Sequence, residues 1–270
     1  MEQFYYITTC VLFAVLGLCI GSFLNVLIYR LPRGMNLAKP ASHCTVCGHK
    51  IAWYDNIPLL SYLILRGKCR SCGARISPRY FLVELSNAAL WISCCMAVYR
   101  DVTSVPVAAV YALALSVLLT MAVTDMENLF LPDSLQIALF VIALAGVFND
   151  PAQWQDKLWG LLLGGGFFLF IYCLSFVLFQ KEGLGFGDVK LMASAGLLLG
   201  WKGVVVATVL AVAVALADIV IRKIFLRRGE TLPCAETGEE FAFAPYLAFG
   251  TAAALFCGTA LFDGYLALFL

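Results

Sequence analysis

Long runs of apolar residues recur along this sequence, and they decide what the chain can fold into. Each run supplies roughly the 20 residues that an α-helix needs to cross about 30 Å of hydrocarbon. Hydrophobic residues make up 62% of the chain and charged residues only 13%, whereas soluble domains contain about 45 to 50% apolar residues. A water-soluble fold is therefore not expected, and the uninterrupted runs argue against the alternating strands of a membrane barrel.

The runs predict an all-α polytopic membrane protein with about eight transmembrane helices. The predicted spans cover residues 7–28, 81–99, 106–124, 133–148, 158–179, 190–201, 204–221 and 243–269. We expect the first span to be a retained anchor rather than a removed signal peptide. The reason is that no Lys or Arg precedes it and no small-residue cleavage site follows it.

Basic residues are concentrated in a few polar segments, which orients the predicted bundle. Lys and Arg stay on the cytoplasmic side during membrane insertion, whereas short translocated loops carry few of them. Segments 30–79 and 222–228 hold most of the basic residues, so we expect both to face the cytoplasm. The net charge of +1 hides this asymmetry. Contact with anionic membrane lipid accounts for the basic loops, and no nucleic-acid partner is expected.

The sizeable hydrophilic insert at residues 31–80 carries four cysteines in two pairs. Cys44 and Cys47 form the first Cys-x-x-Cys pair, Cys69 and Cys72 form the second, and a glycine follows each pair directly. This spacing is typical of zinc ribbons, in which four thiolates bind one tetrahedral ion at about 2.3 Å. Two disulfides are the alternative, but they need an oxidising compartment. The sequence thus predicts a cytoplasmic, zinc-ribbon-like loop.

Two histidines flank the first cysteine pair and are alternative metal ligands. His43 precedes Cys44, and His49 lies two residues after Cys47. Because four thiolates already complete a closed tetrahedral site, we expect both histidines to be bystanders. A closed site has no open position for water, so the zinc ion is expected to organise the loop rather than to catalyse.

Acidic residues in or at the ends of the predicted spans are candidate functional groups, because a charge near hydrocarbon is costly. Asp125 ends the third span, and Asp188 follows Gly185-Phe-Gly187 at the start of the sixth. The predicted topology brings both aspartates to the cytoplasmic face. Where two carboxylates share a site, one keeps its proton while the other is ionised, and such a pair can catalyse peptide hydrolysis.

Structural roles are open alternatives for these acids. An aspartate at a helix start is often an N-cap, and one at a helix end is often solvated. Glu127, Asp133 and Glu182 lie near enough in sequence to be rivals of the pair. Asp218 lies well inside the seventh predicted span with no motif around it, and we expect it to make a buried structural hydrogen bond.

Several segments together resemble one enzyme family. They are Gly21-Ser-Phe-Leu-Asn25 continuing to Pro32, the four-cysteine loop, Arg79-Tyr80 with Glu84, Leu131-Pro132-Asp133 after Asp125, and Gly185-Phe-Gly187-Asp188-Val-Lys190. Over nearly the whole chain, the sequence resembles the type IV prepilin peptidases, which are leader peptidase/N-methyltransferases. That family processes type IV prepilins and type II secretion pseudopilins.

The resemblance implies that Asp125 and Asp188 are catalytic aspartates at the cytoplasmic boundary of the bacterial inner membrane. The implied substrate is a prepilin or pseudopilin whose short basic leader ends in glycine. Longer members of the family also methylate the new N-terminus with S-adenosylmethionine. Glu84 is a candidate residue for that cofactor site, and an internal ion pair is the alternative role for its carboxylate.

The hydrophilic insert between the first two spans predicts three domains, and the chain departs from the family pattern at two positions. We expect a first transmembrane helix at 1–30, a zinc-binding loop at 31–80 and a protease bundle at 81–270. Phe81 stands where the family commonly has proline, and Ala244 stands where glycine is usual. Both departures are expected to change only local backbone shape and to leave the aspartates untouched.

Two other functions compete with proteolysis. One is an ion-coupled transporter with a regulatory zinc loop. The other is a non-enzymatic scaffold that binds a cytoplasmic partner through that loop. A transporter is expected to spread polar residues through several spans, whereas the acids of this chain gather mainly at one membrane boundary. The sequence therefore favours chemistry at that boundary.

Overall fold

A computed structural model describes residues 2–179, 184–227 and 241–268. These residues form eight α-helices, and no strand occurs among them. The helices are α1 (Glu2–Arg30), α2 (Leu60–Ile64), α3 (Pro78–Val98), α4 (Val105–Asn128), α5 (Asp133–Asn149), α6 (Trp154–Phe179), α7 (Phe186–Arg227) and α8 (Ala244–Ala267).

Helix α7 is interrupted at Gly200, whose backbone is not helical (φ 76°, ψ 176°). A Cβ placed on Gly164 of α6 would touch both Met192, before the break, and Val204, after it. In a continuous helix those two residues would lie about 18 Å apart, so the chain folds back at Gly200. This backbone conformation is essentially restricted to glycine.

The predicted spans are all helical. Six helices are long and apolar enough to span a membrane by length and composition, and α5 is a shorter apolar helix. The two arms of α7, residues 186–199 and 201–227, match the separate spans predicted at 190–201 and 204–221. The all-α polytopic membrane fold is thus confirmed. Phe269, the predicted end of the last span, lies outside the described residues.

Residues Met1–Thr120 form one compact unit, in which small residues bring α1 and α3 close together. A Cβ on Gly17 would lie 2.9 Å from the Cα of Ala88, and one on Gly21 would lie 2.9 Å from the Cα of Glu84. Larger side chains at these glycines would push the helices apart. Close packing matters here because lipid supplies no hydrophobic force that drives helices together.

A buried polar network also holds this unit together. Asn87 of α3 donates from Nδ2 to the carbonyl of Gly17 in α1 at 2.7 Å, and its Oδ1 accepts from Ser116 of α4 at 2.8 Å. The indole of Trp91 donates to the same Ser116 hydroxyl at 2.8 Å. Unpaired polar groups are costly in an apolar interior, so this network fixes the register of three helices.

Residues Met121–Leu270 form the second compact unit, which contains α5 to α8. Gly160 of α6 and Gly196 of α7 meet backbone to backbone, and a Cβ on either would collide with the carbonyl group of the other. Gly250 of α8 packs in the same way on Ala207 in the second arm of α7. These contacts fix α7 against both of its neighbours. They thereby position the first turns of α7 and α8.

Candidate active site and four-cysteine centre

Asp125 and Asp188 lie together in the second unit. Asp125 is in the last turn of α4, and Asp188 is in the first turn of α7. Both residues are buried, with 7% and 6% of their surface exposed, and the charge of Asp125 acts on Asp188. Two carboxylates that share an apolar site do not both ionise readily, so the arrangement suits a pair that holds one proton.

The first backbone amide of α8 contacts one of these aspartates. Ala244, at which α8 begins, donates its N–H to Oδ2 of Asp125 at 3.1 Å. The expectation that the departure at Ala244 leaves the aspartates untouched is therefore wrong. The first amides of a helix have no partner within the helix, so they bind acceptors from elsewhere. Phe81, the other departure, packs its ring on Tyr62 of α2 with centroids 5.4 Å apart.

The turn that carries Asp188 is held by α5 and by the segment before it. A Cβ on Gly187 would lie 2.8 Å from Cδ1 of Leu131, so this close approach requires glycine. Gln136 donates from Nε2 to the carbonyl of Gly187 at 2.8 Å. Asp188 donates its own N–H to the carbonyl of Gly185 at 3.0 Å, which starts the helix. Two segments that are distant in sequence thus meet at the site.

The alternative candidate acids from the sequence analysis do not share the buried environment of Asp125 and Asp188 within the described residues. Asp133 forms an ion pair with Lys190 at 2.6 Å, and its side chain is 76% exposed. Glu127 is exposed near the end of α4, and Glu182 lies outside the described residues. Within the described part of the chain, Asp125 and Asp188 are the two buried aspartates.

Three buried polar atoms at or beside the pair make no hydrogen bond within residues 2–179, 184–227 and 241–268. They are Oδ1 of Asp188, Oγ1 of Thr124 and Oε1 of Gln136. Buried polar atoms are nearly always satisfied, so these atoms are available to accept or donate a hydrogen bond to a water or a substrate. The sequence prediction missed Thr124 and Gln136. The available signal was a polar side chain inside an otherwise apolar span.

Glu84 joins the cysteine-containing loop to α3. It is 8% exposed, and its Oε2 accepts the N–H of Leu59 at 2.8 Å. Leu59 has a positive φ of 58°, so this amide is aimed by a strained turn. Glu84 thus has a backbone amide and the side chain of Ser22 as hydrogen-bond partners, whereas the sequence suggested an ion pair as the alternative to a cofactor role.

Asp218 makes the predicted hydrogen bond, and it makes more than one. Its Oδ2 accepts from the hydroxyl of Tyr246 at 2.6 Å and from Nε of Arg222 at 2.6 Å. The expectation of burial is wrong, because the Asp218 side chain is 30% exposed. A carboxylate with a cation one helical turn away does not need full burial to be held in place.

The four loop cysteines converge on one point. The sulfur atoms of Cys44, Cys47, Cys69 and Cys72 all lie within 4.8 Å of one another, and those of Cys44 and Cys72 are 3.9 Å apart. A tetrahedral zinc ion with Zn–S bonds of about 2.3 Å requires sulfurs about 3.8 Å apart. The site therefore fits such an ion, and neither His43 nor His49 belongs to the group.

The two cysteine pairs have the same backbone geometry. Gly48 donates its N–H to the carbonyl of Cys44 at 2.9 Å, and Gly73 donates to the carbonyl of Cys69 at 2.9 Å. Both glycines have positive φ, at 71° and 70°, which glycine adopts without strain. This repeated turn is what allows each pair to present both sulfurs to one ion.

An ion pair links the second cysteine pair to the rest of the loop. Arg70, between Cys69 and Cys72, donates from Nε to Oδ2 of Asp55 at 2.8 Å and from Nη2 to Oδ1 at 2.6 Å. The hydrogen bonds from Arg70 hold the pKa of Asp55 below its usual value. Such a bidentate contact fixes the orientation of the two side chains as well as the distance between them.

Two protein-family models match this chain. The model of the Bacterial Peptidase A24 N-terminal domain matches residues 15–98. The model of the Type IV leader peptidase family matches residues 112–220, which include both buried aspartates. The chain belongs to the type IV leader peptidase family. Because members of this family are aspartic peptidases, the chain is an enzyme, and the transporter alternative is not favoured.

Similar proteins cover most of this chain. A "Prepilin leader peptidase/N-methyltransferase" of Klebsiella pneumoniae is 42% identical over 69% of this chain and 83% of its own length. One of Stutzerimonas stutzeri is 37% identical over 93% and 92%, and one of Myxococcus xanthus is 42% identical over 70% and 55%. No solved structure matches the chain. The apolar helices and the family together indicate a multi-pass inner membrane protein.

Proposed function

We propose that this chain is a membrane aspartyl endopeptidase that removes the leader peptide of type IV prepilins or pseudopilins, with Asp125 and Asp188 as its catalytic pair. The observation that carries the proposal is that these two buried carboxylates lie within range of each other's charge, at the end of α4 and the start of α7. The unpaired Oδ1 of Asp188 supports it, because a buried acceptor is available to a reacting group.

The chemistry needs one ionised and one protonated carboxyl group. The ionised aspartate accepts a proton from a water molecule as the water oxygen attacks the peptide carbonyl. The protonated aspartate donates its proton to the carbonyl oxygen, which stabilises the tetrahedral intermediate. The intermediate then collapses and the C–N bond breaks. The leaving nitrogen takes the proton that the first aspartate accepted from water, and a hydroxyl group of the intermediate returns a proton to the second aspartate. Protons balance, and no cofactor enters this step.

The pair is proposed to face the cytoplasm. The basic segments 30–79 and 222–228 favour cytoplasmic placement. The same topology assigns the end of α4 and the start of α7 to that side. A basic leader peptide stays in the cytoplasm for the same reason. The cleavage point between such a leader and an apolar helix would then reach the membrane boundary at the depth of the aspartates. Anionic lipid is the expected neighbour of the basic loops.

We further propose that Cys44, Cys47, Cys69 and Cys72 hold a structural zinc ion. The fit of the four sulfurs to a tetrahedral site supports this assignment. Four thiolates leave no open coordination position, so the ion would stabilise the loop without taking part in hydrolysis. The predicted domains, 1–30, 31–80 and 81–270, belong to the same proposal, with the zinc loop between the first helix and the protease bundle.

A second activity is proposed from the names of the relatives, which include N-methyltransferase. The methyl donor would be S-adenosylmethionine, which supplies an activated methyl group for the new N-terminus of the cleaved product. The buried carboxylate of Glu84 suits the positive charge of this donor and is the candidate residue to bind it. Its hydrogen bond to Leu59 supports a site where the loop meets α3.

The direct test is cleavage of a purified model prepilin in detergent by the wild type, Asp125→Asn and Asp188→Asn. Each variant keeps the size of the side chain and removes its acid, so we expect the rate to fall by about 10³-fold or more. Asp263→Asn is the matched control, because this exposed acid pairs with Lys202. Wild-type rates in both site variants would refute the assignment. Mass spectrometry of the product with and without the methyl donor tests the second activity.

A further inference from the structure

We propose that Asp218 and Tyr246 are positioning residues that hold the first turn of α8, so that its leading amide stays on Asp125. This inference rests on the proposed catalytic role of Asp125. Ala244 supplies the amide, and Tyr246 lies two residues further along the same turn. No sequence motif explains Asp218. Under this proposal it affects the reaction by holding Tyr246, and it does not contact the substrate.

The anchor of the turn is a short hydrogen bond. The hydroxyl of Tyr246 donates to Oδ2 of Asp218 at 2.6 Å. Arg222, one turn after Asp218 in the second arm of α7, donates from Nε to the same oxygen at 2.6 Å. Hydrogen bonds to an ionised acceptor are shorter and about twice as strong as neutral ones. The arginine therefore fixes the acceptor, and the acceptor fixes the tyrosine.

The backbone of this turn explains why Ala244 is the donor. Pro245 has no N–H, and the N–H groups of Tyr246 and Leu247 both bind the carbonyl of Phe243, at 3.1 and 3.3 Å. The N–H of Ala244 is thus the first-turn amide that reaches Asp125. The ring of Phe241 stacks on that of Tyr246, with centroids 5.2 Å apart and planes 9° apart. Movement of Tyr246 would carry the donor with it.

The consequence for catalysis is orientation of a reacting group. One oxygen of Asp125 is held by the Ala244 amide, which restricts rotation of the carboxylate about its Cβ–Cγ bond. Asp188 on the first arm of α7 and Asp218 on the second arm belong to the same folded-back helix. The contact from Asp218 through Tyr246 to Ala244 therefore ties the aspartate of α4 to the helix that carries its partner. Misplacement of reacting groups by about 1 Å can cost about 100-fold in rate.

A purely structural role is the alternative, since the contact also joins α7 to α8. The chain offers a matched control for that role. Lys202 of α7 and Asp263 of α8 form a second polar contact between the same helices, 2.9 Å long and exposed. It lies at the opposite end of α8 from Ala244. Loss of this pair loosens the helix contact without touching the first turn.

The experiment compares kcat and KM for a model prepilin in Tyr246→Phe, Asp218→Ala, Asp218→Asn and Asp263→Asn, with thermal unfolding measured in the same detergent. We expect Tyr246→Phe and Asp218→Ala to lower kcat about tenfold or more, with KM changed by less than about twofold. Asp218→Asn keeps an oxygen that accepts from Tyr246, so it should restore kcat to within about threefold of wild type. Asp263→Asn should leave kcat unchanged.

Two results would overturn the inference. One is a wild-type kcat in Tyr246→Phe, which removes a single oxygen atom and keeps the ring, so the test survives even if Asp218→Ala fails to fold. The other is an equal loss of kcat in Asp263→Asn, which would mean that any loosening of α7 and α8 has the same effect. Failure of the proposed function is distinguishable, because Asp125→Asn would then remain active.

Discussion

The side-chain amide of Gln136 donates a 2.8 Å hydrogen bond to the main-chain carbonyl of Gly187. Gly187 directly precedes Asp188, so a residue of α5 holds the turn that presents one aspartate of the pair. Gln136 is 4% exposed, and its own Oε1 is buried without a partner among the described residues. A buried amide with one end unpaired is costly to keep. A contribution to positioning of Asp188 accounts for that cost.

Replacement of Gln136 by leucine tests this relationship. Leucine fills similar space but donates nothing, so the Gly187 carbonyl loses its partner and the turn is free to shift. We expect kcat for prepilin cleavage to fall about 10- to 100-fold, with little change in KM. Ile137→Leu, at the next position and 64% exposed, is the control. Equal activities in the two variants would contradict the positioning role.

A methyl group at Gly187 should disturb the same turn from the other side. Its Cβ would lie 2.8 Å from Cδ1 and 3.0 Å from Cβ of Leu131, so Gly187→Ala forces the two segments apart. We expect a fall of about tenfold in the cleavage rate. Gly166→Ala is the control, because a Cβ on Gly166 would meet nothing within 4 Å.

The double variant Leu131→Ala with Gly187→Ala sharpens this test. Removal of the Leu131 side chain beyond Cβ makes room for the new methyl group, so the double variant should recover part of the activity that Gly187→Ala loses. If the double variant instead loses as much activity as the two single variants combined, the two residues do not clash.

The helices and the four-cysteine cluster were predictable because their signals are local. A span is recognised from its own length and composition, and the four cysteines from two short pairs with a glycine after each. Gly200 interrupts α7 near the end of the first of the two spans that were predicted separately, so the division of α7 into two arms was also predictable from local sequence. The approach of Asp125 and Asp188 followed from topology, since both helix ends were assigned to one side.

The contacts that complete the site were not predictable from one sequence. Ala244 and Asp125 are 119 residues apart, and nothing near either residue indicates that they meet. The same holds for Tyr246 and Asp218, which are 28 residues apart. Gln136 gave a weak sequence signal, because it is a polar residue in an otherwise apolar predicted span. Such pairings depend on how helices rotate about their axes, which hydrophobicity alone does not fix when lipid surrounds the bundle.

Metal content tests the four-cysteine centre. We expect about one zinc ion per wild-type chain, and a clear loss in Cys44→Ser, because a hydroxyl is a much poorer zinc ligand than a thiolate. Residues 48–68 should become sensitive to proteases in that variant. Cys19→Ser, at an exposed position in α1, should change neither property. Full zinc content together with an intact loop in Cys44→Ser would refute the assignment.

Substitutions of Glu84 separate the two proposed activities. Glu84→Gln keeps an oxygen that can accept the Leu59 amide but loses the negative charge, whereas Glu84→Ala loses both. If the charge binds the methyl donor, methylation of the cleaved product should fall about tenfold or more in both variants. Cleavage should continue in Glu84→Gln. Normal methylation in Glu84→Gln with loss in Glu84→Ala would limit Glu84 to holding the loop.

The pair formed by Asp55 and Arg70 predicts a defined dependence on pH. Arg70 lowers the pKa of Asp55 in the folded chain, from an unfolded value of about 3.9. As pH falls, the unfolded chain therefore binds this proton first. The contribution of the pair is complete above about pH 4 to 5 and is lost as pH falls through the lower, folded pKa.

Hydrogen–deuterium exchange of residues 53–56 and 69–72 measures this contribution when wild type and Asp55→Asn are compared at the same pH. Acid also weakens metal binding by thiolates, but the ratio of the two exchange rates cancels that shared effect. We expect exchange about two- to fivefold faster in Asp55→Asn between pH 5 and 8. The ratio should fall toward one as pH falls through the lowered, folded pKa of Asp55, because the carboxylate then becomes protonated. A ratio that grows as pH falls would mean that Asp55 stabilises the loop through its neutral form, not through its charge.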